Sequence, residues 1–255
     1  MDKKTNPTDQ ARRRFFGQVA AVASLTVAPG VILQQVAHAR APELPASENQ
    51  RWGILINTNK CNEGCDACVT ACRDEYGWGP ASEKRSDVTQ QAQWIRKVKL
   101  TDKQTGHVQT LPLMCQHCEH PPCVDVCPTG ASMKRADGIV LVDRHICIGC
   151  RYCMMACPYK ARSFVHEDLM DQLPTAPRGK GCVESCTLCV HRVDRDGPEA
   201  VPACAEACAA EGHDAFIFGD LNDPNSRISE ALAKHGGTKI RDDLGLNPGV
   251  RYRGI

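Results

Sequence analysis

Beyond residue 50 the chain alternates short apolar runs with polar turns, several of them marked by glycine. "WGILIN" (Trp52–Asn57) reads as a strand. "WIRKVKL" (Trp94–Leu100) and "HVQTLPLM" (His107–Met114) flank a polar turn with Gly106, as the arms of a hairpin do. "DGIVLVD" sets a turn at Asp137-Gly138 before another strand, and "AFIFGD" (Ala215–Asp220) predicts one more. One helix is marked at both ends: Asn225 or Ser226 caps it, it runs to about Lys234, and Gly236-Gly237 stops it. Residues 73–93 and 167–181 read as loops or insertions, and Trp94 and Tyr159 as core packing. Short strands with few helices predict an α+β fold, and 255 residues suffice for one large domain or two small ones.

The first forty residues differ from everything after them. "ARRRFFG" sets Arg12, Arg13 and Arg14 before Phe15 and Phe16, which resembles a twin-arginine export signal of the R-R-x-F type. An apolar stretch from Val19 to Leu33 follows, and "AHA" (Ala37–Ala39) offers a small-x-small cleavage site after Ala39. That stretch is fifteen residues long and broken by Ser24, Thr26, Pro29 and Gly30, where a spanning helix wants about 20 apolar residues. The expectation is a signal peptide over 1–39 and a folded protein delivered to the periplasm. Net charge is +1, and −2 without residues 1–39, which hold five basic and two acidic residues. Neither value is the footprint of a nucleic-acid partner.

Composition changes the picture most. Seventeen cysteines stand against 5% aromatics, so the core needs a filler other than hydrocarbon. Dense disulfide frameworks belong to short chains and spread their cysteines through loops. Here the thiols fall in knots of C-x2-C and C-x3-C, too close to bridge easily but well placed to clasp one metal centre. The first knot is Cys61, Cys65, Cys68 and Cys72; the second is Cys115, Cys118, Cys123 and Cys127. Cys147, Cys150, Cys153 and Cys157 form the third, and Cys186 and Cys189 with Cys204 and Cys208 the fourth, leaving Cys182 unassigned. A short loop wraps three thiolates round a [4Fe–4S] cube, but the fourth corner points away. In two-cluster ferredoxins the fourth cysteine, often followed by proline, therefore serves the other cluster. Cys127-Pro128 and Cys157-Pro158 share that ending, where proline turns the chain away. The second and third knots are thus expected to share two clusters, and the first and fourth two more.

Other readings use the same residues. Cys61, Cys65 and Cys68 have the spacing of radical S-adenosylmethionine enzymes, which leave one iron open and need a barrel of alternating strands and helices. Cys186, Cys189, Cys204 and Cys208 suit a structural zinc held by four thiolates. Cys182 repeats the C-x3-C-x2-C spacing with Cys186 and Cys189 and reads as a free thiol that could replace a neighbour. His117, His120 and His145 lie in or beside the knots. They are either solvent-facing loop residues or hydrogen-bond donors that tune a cluster's potential.

"CQHCEHPPCVDVCPTGA" and "VDRHICIGCRYCMMACPYKAR" resemble the four-cluster iron–sulfur subunits of the dimethyl-sulfoxide, polysulfide, tetrathionate and nitrite reductase systems. The likeness runs from about Trp52 to Lys234. It implies tandem bacterial-ferredoxin-like modules with short hairpins over 52–236, then a C-terminal tail at 237–255. It also implies four ligand sets: Cys61, Cys65, Cys68 with Cys208; Cys115, Cys118, Cys123 with Cys157; Cys127 with Cys147, Cys150, Cys153; and Cys72 with Cys186, Cys189, Cys204. One departure is the residue added between Cys61 and Cys65, where the family usually has C-x2-C. The resemblance implies an electron-transfer subunit with four [4Fe–4S] clusters and no catalytic residues. Its implied partners are a polytopic quinone-interacting membrane protein, of NrfD or DsrP type, and a multihaem cytochrome or reductase in the periplasm. A leader of its own narrows the likeness to the DsrO type of dissimilatory sulfur metabolism, with the NrfC type next.

Overall fold

Strand β1 (Trp52–Asn57) is apolar because the fold closes over it: Trp52, Ile54, Leu55 and Ile56 are all buried. The computed structural model describes residues 46–79, 90–170, 173 and 176–255. The leader, with Arg12, Arg13, Arg14, Phe15 and the site after Ala39, lies outside the described residues. β1 pairs antiparallel with β8 (Phe216–Asp220), from Trp52 opposite Asp220 to Ile56 opposite Phe216. On its other edge it pairs parallel with β9 (Val250–Arg253), giving the order β8-β1-β9. At Gly53 an added Cβ would lie 2.5 Å from the carbonyl oxygen of Gly249. Only glycine lets the two backbones approach that closely.

The expected hairpin is present as β2 (Ile95–Thr101) and β3 (Val108–Met114), paired from Ile95 opposite Met114 to Thr101 opposite Val108. The Asp137-Gly138 turn joins β4 (Ser132–Lys134) to β5 (Val140–Val142), and β6 (Ser163–Phe164) pairs with β7 (Val183–Glu184). The expected capped helix is α6 (Arg227–His235). Ser226 Oγ accepts a hydrogen bond from the Ser229 amide, and the Gly236 amide closes the last turn on the Leu232 carbonyl. The sequence reading missed the helices that carry cysteines: α1 (Ala67–Tyr76), α2 (Pro122–Asp125), α3 (Tyr152–Ala156) and α5 (Ala203–Ala210). Short helices rich in thiols have no leucine or valine stripe to announce them, because cysteine holds the inward positions. α4 (Val190–Asp196) completes the set. Of residues 73–93, read as loop, 73–76 are the last turn of α1 and 80–89 lie outside the described residues. Trp94 packs on Tyr76 with ring centroids 4.3 Å apart, and Tyr159 is buried, as core packing requires.

Residues 237–255, read as a tail, are part of the fold. The Gly249 amide donates to the Gln116 carbonyl at 2.7 Å, next to Cys115. Tyr252 is fully buried; its hydroxyl donates to the Pro112 carbonyl and accepts from Gln116 Nε2, both at 3.1 Å. Tyr159 Oη donates to the Ile240 carbonyl. The segment thus ties β1 to the loop of the second cysteine knot. "VRYR" alternates apolar and charged residues, so its partner, almost two hundred residues away in β1, is invisible locally. Tyr252→Phe should lower the thermal midpoint of the cluster-loaded protein modestly, for about 1 kcal/mol of lost hydrogen bonding. Tyr252→Ala should cost about 3–5 kcal/mol through the cavity it leaves. Equal midpoints for Tyr252→Ala and the parent would show that β9 is not integral.

Candidate metal centres

Helices α1 and α5 pack on one another and each carries two cysteines four residues apart. That spacing is one helical turn on one face. Cys68 and Cys208 face one cavity, and Cys72 and Cys204, one turn along, face the next. The first cavity is lined by Cys61, Cys65, Cys68 and Cys208. The second is lined by Cys72, Cys186, Cys189 and Cys204, walled by Ile54, Tyr76, Ile95, Met114 and Leu188. Cys189 sits at φ +51°, a left-handed turn that starts α4 and aims the thiol inward.

The second and third knots repeat the device on shorter helices. A third cavity is lined by Cys127, Cys147, Cys150 and Cys153. Cys115, Cys118, Cys123 and Cys157 lie in one apolar cluster with Tyr159 and Val183, beside Cys153, and Cys123 and Cys157 both act on the Cys118 thiol. Gly149, at φ +70°, leaves room for the Gly181 carbonyl, which an added Cβ would meet at 2.2 Å. Cys182 joins no quartet: its thiol donates to the Arg144 carbonyl at 3.2 Å, beside Cys147.

The quartets suit polynuclear centres. Among the described residues, no three His, Cys, Asp or Glu side chains converge closely enough to hold a single metal ion. Each of three cavities is ringed by four cysteines, the donor set that a four-iron cube takes. The zinc reading fails, since Cys208 faces a different cavity from Cys186, Cys189 and Cys204. The described sheets have three and two strands, not the barrel of a radical enzyme.

Burial pushes the Cys68 thiol up to about 12, with Cys208 and Cys61 adding to it. Burial, then Cys123 and Cys157, does the same for Cys118, also to about 12. Thiols so placed ionise only against a cation of the kind iron supplies. Backbone amides are already aimed at the sulfurs: Ala215 at Cys208, Ala203 at Cys189 and Leu188 at Cys186, each at 3.4 Å. Val183 points at Cys147 from 3.5 Å. At Cys127 burial acts upward, but hydrogen bonds from Ser132 and Thr129 outweigh it and the thiol is lowered. Lys97 of β2, which the sequence did not single out, donates to the carbonyls of Asn62, Glu63 and Cys65 at 2.5, 2.9 and 2.6 Å. It pins the loop that holds the extra residue of the first knot.

The three histidines separate. His120 and His145 are exposed, so neither faces a cluster cavity. His117 is buried at φ +43°, and its Nδ1 accepts from the Val140 amide at 3.1 Å. Its Nε2 then carries the hydrogen and has no protein acceptor among the described residues. Burial, helped by Arg162, pulls its pKa down to about 3, so it is neutral.

Residues 60–131 and 106–219 each match a family model described as a 4Fe-4S dicluster domain. A curated relative, the Hdr-like menaquinol oxidoreductase iron-sulfur subunit 1 of Archaeoglobus fulgidus, is 39% identical over 95% of this chain and 97% of its own. The chain belongs to the 4Fe-4S dicluster family. A tetrathionate reductase subunit of Salmonella typhimurium is 35% identical over 97% of this chain and 89% of its own. Protein NrfC of Escherichia coli is 33% identical over 93% and 92%. As a member of this family the chain carries four [4Fe–4S] clusters, and its relatives make it an iron–sulfur electron-transfer subunit.

Cavity sharing predicts how ligand losses combine. Cys208→Ser should lower iron by about one cluster, and adding Cys61→Ser should lower it no further, because both serve one centre. Adding Cys72→Ser instead should remove about a second cluster. Iron analysis of the three purified variants checks this, and equal losses in the two double variants would sink the assignment.

Proposed function

We propose that this protein is a periplasmic electron-transfer subunit of a quinone-linked membrane complex in dissimilatory sulfur metabolism, of the DsrO type. The observation that carries it is the series of four cysteine quartets, each assembled from two remote stretches of chain. The ligands are Cys61, Cys65, Cys68 and Cys208; Cys115, Cys118, Cys123 and Cys157; Cys127, Cys147, Cys150 and Cys153; and Cys72, Cys186, Cys189 and Cys204. Bound in these quartets, the clusters supply one-electron carriers whose potentials follow burial and hydrogen bonding to sulfur. The apolar walls exclude water from the path, and the amides of Val183, Leu188, Ala203 and Ala215 offset the charge of the ligand sulfurs.

The reading assigns the chain no substrate chemistry, and electrons pass through it between partners. A relative named as a menaquinol oxidoreductase subunit supports a polytopic quinone-interacting membrane partner of NrfD or DsrP type, with a multihaem cytochrome as the other. Cys150 is the one exposed cysteine, and Ile148, Tyr152 and Met155 around it are exposed. Their exposure supports electron exchange with a partner beside this quartet. Among the described residues no helix is long and apolar enough to cross a membrane, which suits a peripheral subunit. The twin-arginine pattern supports export in the folded state. A nitrite-linked role of NrfC type is the second reading, favoured by the near full-length likeness to that protein.

Metal and sulfide analysis of anaerobically purified protein should give about sixteen irons, as many sulfides and no zinc, since each cube holds four of each. About twelve irons with one zinc would remove a cluster from the path. For export, replacing Arg12, Arg13 and Arg14 together with lysine should leave the full-length chain in the cytoplasm, scored by immunoblot of periplasmic and cytoplasmic fractions. Undiminished periplasmic protein would overturn the twin-arginine route.

A further inference from the structure

Between the second and third knots' quartets lies an arginine with no carboxylate. Arg162 precedes β6 and is 6% exposed. Its Nη2 donates to Cys123 Sγ at 3.1 Å and to Ser132 Oγ at 2.8 Å. Cys153, a member of the neighbouring quartet, and Cys115 both lie within its field. Its Nε and Nη1 are buried with no protein acceptor among the described residues. Arg178, also buried, has Glu184 at 2.7 Å, and half-buried Arg135 has Asp137 and Asp194 at 2.7 Å each, whereas Arg251 bonds the Asn247 side-chain oxygen and has no ion pair among the described residues. A buried guanidinium keeps its proton and is tolerated only opposite negative charge. The anions available to Arg162 are the sulfurs of two quartets.

We infer that Arg162 is a positioning residue of the electron path, a fixed cation shared by the clusters of Cys115, Cys118, Cys123 and Cys157 and of Cys127, Cys147, Cys150 and Cys153. This rests on the four-cluster reading above. Reduction adds one electron to a cluster, and no bond is made or broken in the protein. A permanent positive charge favours the electron-richer state, so it raises the midpoint potential of both clusters and keeps them matched for transfer between them.

The test is a redox titration followed by electron paramagnetic resonance on the anaerobically purified full chain, with iron counted in every sample. In Arg162→Gln iron should stay at the parent level, two of the four midpoints should fall and the other two should hold. Arg162→Lys, which keeps the charge, should stay closer to the parent at the two affected midpoints. Four unmoved midpoints in an iron-replete Arg162→Gln protein would overturn the proposal, as would a shift in Arg162→Lys as large as in Arg162→Gln. If Arg162→Gln loses iron, Ser132→Asp decides, because it sets a carboxylate beside the intact guanidinium. The same two midpoints should then fall, and their constancy would overturn the proposal. A parent protein with fewer than about sixteen irons would instead overturn the four-cluster reading.

Discussion

A cube of iron and sulfur has four corners, and a short loop of chain reaches only three of them. Every centre must therefore borrow a thiolate from a distant segment, and the fold is the set of contacts that makes this borrowing reliable. Cys68 with Cys72 and Cys204 with Cys208 show the most economical solution: two cysteines one helical turn apart serve two adjacent cavities. Two such helices packed together complete two centres at once. Cys123 with Cys127 and Cys153 with Cys157 follow a similar logic, the first of each pair in a shorter helix and the second just past its end.

Filling an interior with sulfur donors creates an electrostatic problem that hydrocarbon cores do not have. Burial opposes ionisation of thiols such as Cys68 and Cys118, and their quartet neighbours oppose it further. Compensation comes mostly from the backbone, through amides aimed at sulfur, because an amide brings a dipole without a counter-ion. Side-chain charge is used sparingly. Lys97 holds a loop by its carbonyls, and Arg162 stands between two quartets. The apolar strand β1 and the buried rings of Trp52, Trp94 and Tyr252 supply the rigid frame on which these small offsets stay fixed.

The cysteine knots, the α+β class and most strands were legible because each is a local signal. Ligand spacing within a loop, Asp137-Gly138 at a turn, and Ser226 and Gly236 at helix ends all act within a few residues. What a residue faces across the molecule left no such mark. His117, His120 and His145 look alike beside their cysteines, yet only His117 turns inward, because its left-handed backbone brings Nδ1 to the Val140 amide. Arg162 sits in a run read for its cysteines, and nothing nearby in sequence says that it has no carboxylate.

Residue order alone dictated the chemistry: sixteen of the seventeen cysteines in tight knots, with prolines after Cys127 and Cys157, specify thiolate-held clusters almost without reference to the fold. Folding decided which thiol faces which cavity, that Cys208 parts company with Cys204 one turn earlier, and that Cys182 is left out. It also decided that residues 250–253, charged and unremarkable in sequence, lie alongside β1. The physical reason is range. Spacing fixes ligands that share a loop, whereas pairing across two hundred residues depends on packing that the chain makes only once it has folded.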